Sequence, residues 1–254
     1  MFSDLKNKNV IITGGSGFLG SQITEAFLKE QSNVIIIDIK KPSNISKKIN
    51  FFRCNIEKKK DVLKTSILIK KKFKKVDILI NNAAFNPVPK KSIRKDFFTS
   101  FDINDFKKEI SINLVGSFLT CKYFGEIMQK QVDGGNIINI ASDLSIIAPT
   151  QKIYKHLNFL KPASYSISKH GILGLTKYIA ADINNHKIRC NSVALGGIFN
   201  NQEKRFVKNL KKLIPMNRMA KKNEYDHLIL FLSSKSSSYI NGTTVIADGG
   251  RTIV

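Results

Sequence analysis

Residues 8–20 read KNVIITGGSGFLG. Val10, Ile11 and Ile12 form an unbroken β-branched run that stops at Thr13, Gly14 and Gly15. A run without polar alternation suits a strand covered on both faces. The next stretch, FLGSQITEAFLKEQ (18–31), carries its apolar residues at helical spacing. The segment therefore reads strand, tight turn, helix. Gly14, Gly17 and Gly20 recur at every third position. Residues without a Cβ permit the tight turn, let a bound group approach the backbone, and let the helix pack on the strand. A helix starting at such a turn points free N–H groups at whatever lies there, which favours an anion such as a pyrophosphate.

The same alternation continues outward. NVIIID (33–38), INFFRCN (49–55), VDILINNAA (76–84), GNIINIAS (135–142), IRCNSVAL (188–195) and GTTVIADGG (242–250) read as further strands. Amphipathic segments at 57–73, 103–131, 163–183, 200–213 and 222–233 read as helices. Apolar strands alternating with helices imply an α/β fold: a doubly wound, Rossmann-like parallel sheet of about seven strands with helices on both faces. No Pro/Gly/Ser-rich linker or repeat divides the chain, so residues 1–254 are expected to form a single domain.

Asp38 closes the second strand, 18 residues after Gly20 (38 − 20). That is close to the spacing expected of an acid that binds an adenosine ribose. A carboxylate there favours the free hydroxyls of NAD and repels the 2′-phosphate of NADP. Lys40 and Lys41 follow and soften that repulsion, so NADP stays possible. Farther on, Tyr165 and Lys169 stand four apart in YSISK, on one face of a predicted helix. An ammonium near a phenol stabilises the phenolate and lowers the tyrosine pKa, which suits a proton donor or acceptor.

Taken in order, TGGSGFLG (13–20), Asp38, NNAA (81–84), Asn113 in INLVGSF, Ser142 in NIINIAS, YSISK (165–169), the glycines of VALGGI (193–198) and ADGG (247–250) resemble the short-chain dehydrogenase/reductase family over essentially the whole chain. The resemblance implies an NAD(P)-dependent oxidoreductase that interconverts a secondary alcohol and a ketone, on a carbohydrate or hydroxy acid. It implies a catalytic tetrad: Tyr165 as general acid/base, Lys169 on the nicotinamide ribose, Ser142 on the substrate oxygen, and Asn113 holding a water of a proton relay. It places Gly14, Ser16, Gly17, Phe18, Leu19, Gly20, Asp38, Asn55, Ile56, Asn81, Asn82, Ala83, Ala84, Gly196 and Ile198 around the cofactor. It also implies a homotetramer or homodimer, with helices 103–131 and 163–183 packing between subunits.

Four positions depart from the usual pattern. Phe18 stands where the shorter branch of the family usually has glycine, giving the TGxxGxxG spacing of the longer, sugar-nucleotide-modifying branch. Asn55 replaces an aspartate, Ala84 the last glycine of NNAG, and Leu195 the proline of a PG turn. The first departure keeps a sugar-nucleotide epimerase or dehydratase as an alternative, although the chain stops at ADGGRTIV, without the further substrate domain usual in that branch.

Ser142 and Tyr165 lie 23 apart (165 − 142), a longer gap than the family's usual one. The stretch around PTQKIYKHLNFLKP (149–162) is thus an insertion beside the expected site. Loops so placed shape substrate pockets. Tyr154, Lys155 and His156 are candidate contacts for a polar or anionic substrate. The plainer alternative is a loop that only packs, through Ile153, Leu157, Phe159 and Leu160. Together with GGIFNNQ (196–202), the insertion resembles oxidoreductases of bacterial surface-sugar and legionaminic-acid-type pathways, and gluconate-type dehydrogenases. Asn200, Asn201 and Gln202 would then offer amides to sugar hydroxyls.

The net charge is +23, yet only six of the 42 basic residues are arginine, the preferred bidentate reader of phosphate and guanine. The lysines lie along helix surfaces, as in KKKDVLKTSILIKKKFKK (58–75). A solvated lysine-rich surface that steers anions is the better reading than nucleic-acid binding. A redox-sensing module on the same fold is a further alternative, but such proteins often lose the tyrosine or lysine present here. His156, His170, His186 and His227 show no metal-ligand spacing, and no metal is expected. Cys54, Cys121 and Cys190 are widely spaced in apolar segments and read as reduced structural thiols. Without a signal-peptide pattern or a membrane-length apolar run, a cytoplasmic protein acting on a small molecule, away from membranes, is expected.

Overall fold

The computed structural model describes residues 2–42, 48–86, 102–182 and 186–254. Seven parallel strands form one sheet: β1 (Asn9–Thr13), β2 (Asn33–Asp38), β3 (Ile49–Arg53), β4 (Ile78–Asn81), β5 (Gly135–Ile140), β6 (Ile188–Leu195) and β7 (Thr244–Ala247). Their order across the sheet is β3-β2-β1-β4-β5-β6-β7. The chain winds one way from β1 to β3 and then crosses back to β4, so direction reverses between β1 and β4. In open sheets of this kind the crevice outside the strand ends at the reversal is where ligands bind.

The apolar runs are explained by two cores. Val10, Ile12, Val34, Ile36, Ile78, Ile80 and Ile138 face one side, against Ile23, Ala26 and Phe27 of α1 (Phe18–Lys29) and Ile229 and Leu232 of α7 (Asp226–Ser233). Their neighbours Ile11, Ile35, Ile37, Leu79 and Ile137 face the other, against Val62 and Ile69 of α2 (Lys59–Phe73) and Leu119, Phe124 and Met128 of α4 (Gly116–Gln129). A strand's side chains alternate between faces, so covering both faces requires an apolar residue at every position.

The expected helix 103–131 is one rod with a fault in it. α3 (Ile103–Ile110) passes through a π-helical turn, Ser111–Val115, into α4. Asp102 caps α3, its carboxylate accepting from the Asn104 and Asp105 N–H groups. The expected helix 163–183 is α5 (Ala163–Ala180), and residue 183 lies outside the described residues. α6 (Lys204–Lys211) starts later than the spacing suggests, because Glu203 caps it through the N–H groups of Arg205 and Phe206. Strands β1, β4 and β5 end before the sequence pattern does, where the chain leaves the sheet to build the crevice. The insertion is ordered rather than loop-like, with a 3₁₀ helix over Gln151–Leu157. Among the described residues no helix is long and apolar enough to cross a membrane.

Candidate active site

A cleft of about 1090 Å³ runs along the carboxyl ends of β1, β2, β4, β5 and β6. At one end lie Gly14, Gly17, Phe18, Leu19, Gly20, Asp38, Asn55, Ile56, Asn82, Ala83 and Ala84; at the other Ser142, Tyr154, Tyr165, Lys169, Gly196, Ile198, Asn200 and Gln202. Most residues singled out in the sequence therefore meet on one wall or the other. Ser16, Asn81, Asn113, Lys155, Asn201 and His156 do not line it.

At the glycine end, the turn has no room for side chains. Gly14 has φ +64°, and a Cβ there would stand 2.7 Å from the Ala83 Cα. A Cβ on Gly20 would stand 2.1 Å from the Gly14 carbonyl oxygen. Asn82 clamps the turn from β4, its Nδ2 donating to the Thr13 and Gly14 carbonyls at 3.0 and 3.2 Å. Thr13 Oγ1 in turn accepts from the Asn82 and Ala83 N–H groups. Asp38 closes the other side, accepting from the N–H groups of Ser16 and Lys40, each at 3.0 Å. The result is a bare backbone cradle at the start of α1 with a carboxylate beside it, which fits a dinucleotide. Two of the expected cofactor neighbours have partners of their own here. Asn81 turns into the core, where its amide meets Asn139, Thr120 and Cys121, because β4 has not yet left the sheet. Ser16 serves the turn itself, its hydroxyl donating to the Lys40 carbonyl at 2.7 Å. Asn55 lines the cleft, but its Oδ1 accepts from the Glu57 N–H at 3.0 Å, leaving Nδ2 as its free group.

At the other end, the i, i+4 spacing on α5 brings Tyr165 and Lys169 to the same face. Lys169 Nζ sits 5.9 Å from the Tyr165 ring centre and donates to the Ile140 carbonyl at 2.7 Å. Burial holds the Lys169 ammonium down at about 8. The expected lowering of the tyrosine pKa is not found. Burial pushes the Tyr165 phenol upward, and its hydrogen bond with Ser142 offsets only part of that. Desolvation of a fully enclosed phenolate outweighs an ammonium that is occupied elsewhere.

Ser142 caps the short turn Asp143–Ser145. Its hydroxyl donates to Asp143 Oδ1 at 2.8 Å and accepts from the Leu144 N–H at 3.2 Å. Asp143 Oδ2 is gripped by Arg251 Nη1 at 2.5 Å, and both side chains are 5% exposed. This ion pair was not foreseen. Asp143 follows Ser142 and Arg251 follows the terminal glycines, but nothing in the sequence joins positions 108 apart.

Asn113 sits on the π-helical turn, 1% exposed. Its Oδ1 accepts from the Phe85 N–H at 2.7 Å, and its Nδ2 donates to the Phe85 carbonyl and Ser168 Oγ at 3.0 and 3.2 Å. The extra residue of the turn aims this amide at the loop after β4.

The insertion forms the outer wall. Ile153 packs on Leu210, Ile214 and Met219. Tyr154 lies edge-on to Phe159 and tilted against Phe206, with ring centres 5.6 and 5.2 Å apart, and burial pushes its phenol up to about 12. His156 points away from the cleft and pairs with Glu203 at 2.7 Å, because the 3₁₀ helix turns that face toward α6. Lys155 is exposed. Gln202 spends its side chain locally, accepting from the Asn200 N–H and donating to the Ile198 carbonyl. Lys161, unremarked in the sequence, is 7% exposed and lines the cleft. Its Nζ lies 3.9 Å from the Tyr165 ring centre and donates to Asn86 Oδ1.

The model of a family described as enoyl-(acyl carrier protein) reductase matches residues 16–252. Glucose 1-dehydrogenase 2 of Bacillus subtilis is 29% identical, with 100% of this chain and 98% of that protein covered. A short-chain dehydrogenase of Leptospira borgpetersenii, solved with bound NAD+, superposes with TM-score 0.90 at 29% identity, over 99% of this chain and 96% of that one. The aldohexose dehydrogenase of Thermoplasma acidophilum superposes with TM-score 0.86 at 28% identity, over 100% of this chain and 97% of that one. With the sheet order, the glycine cradle and the Tyr165–Lys169 face already in place, these likenesses make the chain a member of the short-chain dehydrogenase/reductase family, an NAD(P)-dependent oxidoreductase.

Proposed function

We propose that this enzyme oxidises a secondary alcohol of a carbohydrate to the ketone, and reverses the step, with Tyr165, Ser142, Lys169 and Asn113 as its working residues. The gathering of Ser142, Tyr165 and Lys169 at the cleft end away from the glycine cradle carries this reading. A nicotinamide dinucleotide, when bound, supplies the two-electron chemistry. Tyr165 gives or takes the proton of the substrate oxygen. Ser142 shares that oxygen with it. Asp143 accepts from the Ser142 hydroxyl and so holds that side chain in position. Lys169, whose Nζ lies 5.9 Å from the Tyr165 ring centre, binds the nicotinamide ribose in this reading. Asn113 fixes the Phe85 backbone and Ser168, and so the floor beneath Tyr165.

Asp38 supports NAD over NADP, as does the NAD+ bound to the Leptospira protein, while Lys40 and Lys41 leave NADP within reach. The sugar dehydrogenases among the relatives support a carbohydrate substrate. Exposed apolar residues on the rod and on α5, among them Phe118, Ile167 and Tyr178, support pairing of these helices between subunits in a homodimer or homotetramer. We place the enzyme in the cytoplasm, on the sequence grounds given above.

The test is Tyr165→Phe assayed with NAD+ and a panel of sugars and polyols. Turnover is expected to disappear while NADH fluorescence titration shows unchanged binding. Full activity in the variant would remove Tyr165 from the chemistry.

A further inference from the structure

Lys161 belongs to the insertion, and its setting is unusual for a lysine. It is almost fully buried, yet among the described residues its ammonium has a single hydrogen-bond partner, the neutral Asn86 side chain. Its other contact shown among the described residues is the face of Tyr165. No carboxylate among the described residues lies within ion-pair distance of it. The two whose fields reach it are committed elsewhere. Asp143 is held by Arg251, Ser142 and the Leu144 N–H, and Glu109 accepts from Ser164 Oγ at 2.5 Å. An ammonium has three protons to place, and burying it without a counter-charge is costly. Burial pushes its pKa down to about 8, as expected of a cation lacking a counter-charge.

The rest of this end of the cleft has the same bias. Among the described residues, the buried charges lining it are Lys161, Lys169 and Arg251 against Asp143. Arg251 spends Nη1 on Asp143, while its Nε and Nη2 have no partner among the described residues. The chain's charge of +23 draws anions toward any such opening.

We propose that Lys161 is the anchor for an oxyanion on the substrate, so that the enzyme's own substrate is a polyhydroxy compound bearing a carboxylate or a phosphate. The anion sits over the edge of Tyr165, on the insertion side of the reacting carbon, and supplies the missing counter-charge. This rests on the carbohydrate reading above and narrows it. It also assigns the insertion a purpose: the segment folds against α6 through Ile153 and Tyr154, and that packing holds Lys161 in the wall.

The experiment uses the full-length enzyme with saturating NAD+ and three matched substrates: D-glucose, D-gluconate and D-glucose 6-phosphate. At least one anionic compound is expected to exceed glucose about 10- to 100-fold in kcat/KM, the range of one charge-assisted contact, and the gluconate and phosphate arms tell which anion it is. Lys161→Met should erase that preference, raising KM for the anionic compound at least about tenfold more than KM for glucose. Removing a buried unpaired ammonium should not harm folding, so a loss in this variant is not loss of structure. Equal use of glucose and its anionic counterparts, or an equal loss on all three in Lys161→Met, would overturn the proposal. If none of the sugars turns over, the carbohydrate reading fails separately, and Lys161 is judged by binding. Acetate or inorganic phosphate should then quench the fluorescence of the NADH complex saturably in the wild type and not in Lys161→Met. Absence of that difference also overturns it.

Discussion

At the scale of single residues, the site depends on a few contacts that tolerate no slack. Gly20 is one. An alanine Cβ would meet the Gly14 carbonyl oxygen at 2.1 Å, a backbone atom that cannot swing aside. Gly20→Ala is expected to weaken NADH binding at least about tenfold by fluorescence titration, since even one pK-sized energy step of strain is worth that much. The Asp143–Arg251 pair is another. Arg251→Met strips a buried carboxylate of its counter-charge and should cost about 3–5 kcal/mol in urea unfolding. Asp143→Leu combined with Arg251→Met should recover most of that stability, because it removes both charges. It should not recover turnover, because Ser142 then loses the acceptor that orients its hydroxyl. Recovery of both would make the pair mere packing. Burial of Tyr165 has a kinetic consequence. With its phenol pushed upward, the free enzyme holds this proton at neutral pH, so alcohol oxidation should quicken as pH rises from about 7 to about 10. A flat oxidation profile would mean that another group takes the proton.

At the scale of elements, two segments decide what the site looks like. The π-helical turn Ser111–Val115 inserts a residue into an otherwise regular rod and aims Asn113 at Phe85. The sequence INLVGSF was legible as a landmark but not as a fault in the helix, since a one-residue insertion barely disturbs apolar spacing over a rod this long. The insertion is the second. Its apolar residues were legible as packing candidates, and Ile153 and Phe159 are indeed buried. Which of its polar residues faces the cleft was not. Lys155 is exposed, His156 faces α6 and Lys161 faces Tyr165. A 3₁₀ helix ending in an αL residue, Asn158, sets these directions, and no periodic pattern announces it. Ile153→Ala should cost about 2–5 kcal/mol by leaving a hole between the insertion and α6. His156→Ala, which removes a contact to a half-exposed glutamate, should lower the urea midpoint less than Ile153→Ala does. A chain shortened across 149–162 should still bind NADH, whose cradle lies at the other end of the cleft, and should lose its choice among substrates. Unchanged substrate kinetics would reduce the segment to packing.

At the scale of the whole molecule, one measurable property follows from the buried cations. Lys161 and Lys169 ordinarily titrate near 10.5 but are held at about 8 by burial. Between those values the unfolded chain binds the additional protons, so each lysine makes stability rise with pH. Buried thiols work the other way above about pH 9, Cys121 among them, pushed up to about 12. The two effects separate by mutation. Lys161→Met should be more stable than the wild type by about 1–3 kcal/mol near pH 7.5, and the gap should narrow toward about pH 9.5 in urea titrations. A gap independent of pH would mean that Lys161 is not strained by burial. By itself the sequence determined the sheet and its winding, because an apolar residue at every strand position leaves no solution but helices on both faces. It also determined the glycine cradle and the Tyr165–Lys169 face, because both are local: their geometry follows from spacing within one turn or one helix. Only the tertiary structure decided that Asp143 and Arg251 meet, that Asn113 holds Phe85, and that Lys161 rather than His156 looks onto the tyrosine. Those contacts join residues far apart in the chain, and the packing of separate elements, which leaves no periodic trace in sequence, is what brings them within reach.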